Sequence, residues 1–97
     1  MTILHNNNKM RKKTDIKLLG RFIVTDPEIC EGQPTFRGTR LMVWQVLDML
    51  AKGKAWETII EECHHSISEE AIAEAVKLSG EAFKKHAHEF IIKQTAA

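Results

Sequence analysis

Apolar residues recur along this chain in two rhythms, and the change from one to the other divides it. Phe22-Ile23-Val24-Thr25 is β-branched and aromatic throughout and is stopped by Asp26-Pro27, where the proline ring fixes one dihedral and removes a donor. This run predicts a short strand ending in a turn. Gly32, Pro34 and Gly38 punctuate a second extended piece over residues 35–37. After Thr39 the period becomes helical: Val43, Val46, Leu47 and Leu50 share a face, and Gly53 stands where a left-handed helix stop falls. The first helix is therefore expected over residues 42–52.

Trp56, Ile59, Ile60 and Cys63 mark one face of a second, shorter helix, which His64-His65-Ser66 breaks as a polar turn. Ala55 is a poor cap for its start. Ser68 caps a third helix, with Glu69 and Glu70 at the positive end of its dipole and Lys84 and Lys85 near the other end. Its apolar stripe, Ile72, Val76, Ser79, Phe83, Ala87 and Phe90, predicts one buried face, long enough to run past a small core and meet another subunit. Gly80 interrupts this helix at a cost of about 1 kcal/mol relative to alanine. The expected fold is mainly α: a three-helix, helix-turn-helix-like core preceded by short β-strands, with a long C-terminal helix.

Composition sharpens this outline. A chain of 97 residues, 43% of them hydrophobic, supports one compact core and no second domain. The net charge of +1 conceals an asymmetry. Residues 1–21 carry six basic side chains against Asp15, a balance of +5, whereas residues 22–97 carry eight against twelve acidic ones, a balance of −4. Residues 1–20 have too few large apolar side chains to offset the entropy of ordering them, so they read as a flexible basic arm, closing in a helical or extended turn at residues 16–19. Residues 21–93 form the single domain. Cys30 and Cys63 are not spaced as a Cys-x-x-Cys pair, and neither a secretory signal nor a membrane span is legible, so a cytoplasmic location is expected.

The run Asp26-Pro27-Glu28-Ile29-Cys30-Glu31-Gly32-Gln33-Pro34-Thr35-Phe36-Arg37-Gly38-Thr39-Arg40-Leu41-Met42-Val43 resembles the signature of a bacterial family, the Domain of Unknown Function 433 family. A strand, Asp-Pro, Gly-x-Pro, Arg-Gly-Thr-Arg and an apolar helix closed by Gly53 follow in the family's order, and the similarity covers roughly residues 21–83. Met42 stands where the family often has proline, His64-His65 where it often has an aromatic residue and proline, and Ala55 where it has a Ser or Thr cap. The resemblance implies a homeodomain-like helical fold, a homodimer, and an antitoxin-like role toward a toxin with a PIN-like nuclease fold.

Several side chains are candidates for binding. Arg37 and Arg40 flank Gly38-Thr39, and two guanidinium forks beside a glycine suit a phosphate or a partner's carboxylate. The alternative is that Gly38 sets a turn while both arginines pair internally with Asp26, Glu28 or Glu31. Trp44 and Trp56 are large enough to anchor a partner, although core is the preferred reading for both. Phe83 and Phe90, with Ile91 and Ile92, outrun the core and call for a dimer or toxin surface.

Lys9, Arg11, Lys12, Lys13 and Lys17 make DNA binding through the arm the second functional hypothesis. Against it, a third helix opening Ser68-Glu69-Glu70 and continuing through Glu74 would bring carboxylates toward phosphates. Metal binding by Cys63, His64, His65, His86 and His88 is disfavoured. Adjacent residues do not converge easily, and residues 86 and 88 should point to different sides of a helix. No nucleophile and base, phosphate loop or paired-carboxylate spacing signals an enzyme, and no cofactor is implied.

Overall fold

The computed structural model describes residues 15–92. Three short strands form an antiparallel sheet in the order β1 (Lys17–Leu18), β2 (Ile23–Thr25), β3 (Thr35–Phe36). Three helices follow: α1 (Val43–Ala51), α2 (Trp56–Glu62) and α3 (Glu69–His86), with a 3-10 turn at Ala87–Phe90. The mainly α fold with leading strands and a long final helix is as expected. For residues 16–19, the extended alternative is the one adopted: Lys17 pairs with Thr25 and Leu18 with Val24. Lys9, Arg11, Lys12 and Lys13, with the remainder of the expected arm through Thr14, lie outside the described residues.

Each helix stops for a local reason. At the end of α1, Gly53 takes φ +88°, its N–H donates to the Leu50 carbonyl, and Lys54 N–H reaches back to the Met49 carbonyl. These two bonds satisfy carbonyls that the helix end would orphan. The end of α2 is built identically without a glycine: His64, at φ 55°, donates to Glu61, and His65 donates to Ile60. His64 thus occupies a left-handed position that glycine normally fills, and the His64-His65 turn is a helix stop. Ser68 Oγ accepts from Ala71 N–H at 3.1 Å and starts α3.

The core gathers Ile23, Phe36, Val43, Val46, Ile59, Ile67, Ala71, Ile72 and Ala75. One expectation about burial fails here. Trp44 is 53% exposed, because α1 turns Val43 and Val46 inward and position 44 lies about 100° further round the helix. Trp56 does pack against the core. On α3 the buried positions are Ala71, Ile72 and Ala75, all in its first two turns. Val76, Phe83 and Phe90 are 43%, 59% and 57% exposed, and Ala87 is exposed as well. The predicted stripe is therefore buried only at Ile72 and partly at Ser79, because α1 and α2 are too short to cover the rest.

The sheet is fastened to α3 by one side chain. Glu74 accepts hydrogen bonds from the backbone N–H groups of Arg21, at 2.8 Å, and Phe22, at 2.7 Å. Gly20 leaves room for this: a Cβ there would sit 2.6 Å from the Glu74 carboxyl carbon. Two predictions follow from these contacts. Glu74→Ala should cost about 1 kcal/mol, since it removes two hydrogen bonds of which only the one from Phe22 is partly shielded from water, and Gly20→Ala should be destabilising alone but nearly neutral once Glu74 is alanine, a coupling that urea melts of the double-mutant cycle measure. His64→Gly should raise stability by roughly 0.5–1 kcal/mol in the same assay by relieving the left-handed strain.

Candidate binding surface

The Arg-Gly-Thr-Arg segment forms a tight turn between β3 and α1. Thr39 N–H donates to the Phe36 carbonyl at 2.9 Å, and Thr39 Oγ1 donates to the same oxygen at 2.7 Å while accepting from Leu41 N–H. Gly38 sits at φ +81° with nothing within 4 Å of where a Cβ would be, so backbone conformation and not space requires glycine. Arg37 N–H bonds to the Phe22 carbonyl at 2.7 Å, which ties the turn to β2.

Both arginine side chains are exposed, and neither forms an ion pair among the described residues. Internal pairing with Asp26, Glu28 or Glu31 is therefore overturned. Asp26 is buried, and its Oδ1 accepts from the Glu28 N–H to close the Asp-Pro turn; Glu28 and Glu31 face solvent. The backbone, not charge pairing, holds the turn, and it leaves two guanidinium groups for something else.

Arg37 lies on the rim of a groove of about 430 Å³ whose floor includes Phe22, Phe36, Ile60 and Ile67, with His65 also on its wall. The Arg21 guanidinium stacks 5.1 Å from the centre of the Phe22 ring. Arg21 and Phe22 were not singled out as site residues from the sequence, and His65 was weighed there only as a metal ligand. Nothing in their local spacing connects them to Arg37; the tie between β2 and the turn does.

Arg40 borders a second surface. Its carbonyl accepts from Cys30 Sγ at 3.3 Å, and Cys30 lines a groove of about 420 Å³ with Glu31, Gln33, Met42 and Trp44. Cys30, Glu31 and Gly32 take φ values of 50°, 56° and 82°, one left-handed turn that is costly for the two non-glycine residues. Trp44 Nε1 donates to the Met42 sulfur at 3.3 Å, which steadies an exposed indole at the groove's edge. Thus Arg37, Gly38, Thr39, Arg40 and Trp44 belong to connected parts of one surface, while Phe83 and Phe90 lie on the outer half of α3 with ring centres 5.2 Å apart.

Among the described residues the histidines and cysteines do not come together as a metal site. Burial, and then the neighbouring Glu62 carboxylate, push the Cys63 thiol up, so it stays protonated and is a poor ligand at neutral pH. His86 and His88 do not diverge as an α-helix would make them: the 3-10 turn brings both toward Glu89, at 3.3 and 3.8 Å. Among the described residues no group of three His, Cys, Asp or Glu side chains is placed to hold a metal ion.

Arg37→Ala and Arg40→Ala should each leave stability within about 0.5 kcal/mol of wild type, whereas Gly38→Val should destabilise by more than about 1 kcal/mol; thermal melts of the three variants check both.

No curated protein and no solved structure matches the chain. Among the described residues no helix is long and apolar enough to cross a membrane. A family model described as "Protein of unknown function (DUF433)" matches residues 23–77, from β2 through the buried turns of α3, and stops short of the exposed end of that helix. That match takes in the Asp-Pro turn, the Arg-Gly-Thr-Arg turn and all three helix starts, and the chain belongs to the DUF433 family.

Proposed function

We propose that this chain is a non-enzymatic, antitoxin-like binding protein of a bacterial toxin-antitoxin system, and that it neutralises a PIN-like nuclease by direct contact. The observation that carries this reading is the pair of exposed arginines, without an ion pair among the described residues, on a turn tied down at the N–H groups of Arg37, Thr39 and Leu41. A surface of this kind binds without first ordering itself, which lowers the cost of association. A nuclease that works through metal ions holds them with carboxylates, and planar guanidinium forks match carboxylates in pairs. Trp44, exposed at the edge of the groove that Cys30 lines, supplies the aromatic anchor such interfaces use.

A cytoplasmic setting suits this reading, since both cysteines are free thiols. DNA binding by the basic N-terminal residues is the second reading, favoured by their charge of +5 against −4 elsewhere. The two overlap in one respect: Lys17 belongs to β1 and serves the sheet as well as the basic surface. Glu74, read earlier as a charge opposed to DNA, is engaged by the backbone of Arg21 and Phe22, while Glu69 and Glu70 remain exposed on the opening turn of α3.

Co-expression with the product of the adjacent reading frame should yield a complex and restore growth. Arg37→Ala with Arg40→Ala should weaken that complex at least about a hundredfold by calorimetry with the fold intact, as loss of a central charged pair does. No complex and no rescue would remove the antitoxin reading. For DNA, deletion of residues 1–14, which spares β1, should abolish retention on DNA at low salt, and an unchanged gel shift would reject that reading.

A further inference from the structure

We propose that the groove between the sheet and the α2–α3 turn is a docking slot for an extended segment of a partner protein, one in which a carboxylate side chain is flanked by aliphatic ones. This deepens the reading of the chain as a protein-binding module, on which it rests, and does not require the partner to be a nuclease.

The slot has walls from distant parts of the chain. Phe22, Phe36 and Arg37 come from the sheet side, and Ile60, His65 and Ile67 from the end of α2 and the turn after it. Its volume of about 430 Å³ lies within the range of ligand sites, about 300–1,000 Å³. Phe36 and Ile67 are already buried and make a firm floor, while the half-buried Phe22 and Ile60 offer the apolar area that a ligand would cover. The groove is open on one side, so a free small molecule would stay partly in water. Aliphatic side chains carried on a partner's surface, whose remaining contacts lie elsewhere on the interface, suit it better.

The polar groups decide the charge of the occupant. No carboxylate lines this groove, whereas the groove at Cys30 contains Glu31, and a third, of about 290 Å³ on the opposite face of the sheet, contains Asp26. Arg37 also borders that third groove but forms no ion pair with Asp26. Ser66 Oγ donates to the Cys63 carbonyl at 2.7 Å, and Ser68 Oγ accepts from Ala71 N–H at 3.1 Å. The side-chain groups left over are the Arg37 guanidinium, the His65 imidazole and the Ser68 hydroxyl hydrogen, and all of them donate. A second guanidinium, that of Arg21, stands over the Phe22 ring at the sheet end. The neighbouring acids do not cancel this. Glu74 accepts from the N–H groups of Arg21 and Phe22, and Glu69 and Glu70 follow Ser68 at the other end of the groove. The occupant's carboxylate therefore belongs at Arg37, with aliphatic neighbours over Phe22 and Ile60.

His65 supplies an independent observation. The stop of α2 requires one left-handed residue, and the chain has two in succession, His64 at φ 55° and His65 at φ 59°. The helix end accounts for the first. The second is a strained residue on the wall of the groove, and strain of that kind gathers at binding sites.

Nuclear magnetic resonance of the isotope-labelled full chain, titrated with acetyl-Leu-Asp-Leu-amide to millimolar concentration, should shift the amides of Phe22, Ile60, Ile67 and Ala71 and leave those of Val24 and Ile29 in place. Peptides with asparagine for aspartate, or with alanine for both leucines, should bind at least about tenfold more weakly. Arg37→Gln should weaken the aspartate peptide at least about tenfold, and His65→Gly, which tolerates the dihedral, at least about threefold. Lys84→Gln, an equal change of charge on the far half of α3, should alter nothing. Arg37→Glu should invert the preference, so that acetyl-Leu-Lys-Leu-amide binds better than the aspartate peptide. Circular dichroism of each variant separates lost binding from lost fold. Equal binding of the aspartate and asparagine peptides, shifts centred on Val24 and Ile29, or no inversion in folded Arg37→Glu would overturn the proposal. Peptide selectivity without a complex with the adjacent product removes the toxin reading alone, and that complex without peptide selectivity removes the slot.

Discussion

A single carboxylate sets how the two halves of this molecule meet. Strands of two or three residues have no stability of their own, and a sheet this small needs a layer to lie against. Ile23 and Phe36 supply the apolar contact, but Glu74 supplies direction: it takes both N–H groups at the entry to β2 and so sets where the sheet begins relative to α3. From there the order is passed on. Phe22, held by Glu74 through its N–H, accepts the Arg37 N–H through its carbonyl, so two hydrogen bonds of 2.7 Å connect the long helix to the arginine turn. The position of the proposed binding surface therefore depends on a residue more than thirty positions away.

Two surfaces of different chemistry result. The first is polar and stiff, built from Arg37, Arg40 and the neighbouring grooves, with Trp44 at its edge. The N–H groups of Arg37, Thr39 and Leu41 are bonded internally, and the two guanidinium groups are left to meet a partner. The second is the apolar outer half of α3, where hydrophobic side chains remain in solvent because the core ends at Ala75 and its immediate neighbours. Their separation means that occupying one need not displace the other.

Strained backbone is concentrated near the first surface. Cys30 and Glu31 hold left-handed dihedrals beside Trp44, and His65, following His64 in the left-handed stop of α2, borders the groove under Arg37. Surrounding contacts must over-determine such conformations for them to persist. At α2 the determining contacts are visible: three successive N–H groups, from Cys63 to His65, find carbonyls one or two turns back.

Much of this was legible in the residues alone. The existence and order of three helices, their stops at Gly53 and at His64-His65, the cap at Ser68, the turn at Gly38 and the family itself all follow from local pattern. Each is decided by dihedral preference or by hydrogen bonds between near neighbours. What the fold alone decided depends on who lies opposite whom. Periodicity shows that a helix has an apolar stripe but not how far its neighbours reach, so the exposure of Val76 and Trp44 was hidden. Formal charge places Glu74 among repulsive carboxylates, and only the approach of Arg21 and Phe22 from more than fifty positions away turns it into the fastening of the sheet. Sequence separation carries no information about such a meeting, because it is settled by packing across the whole core.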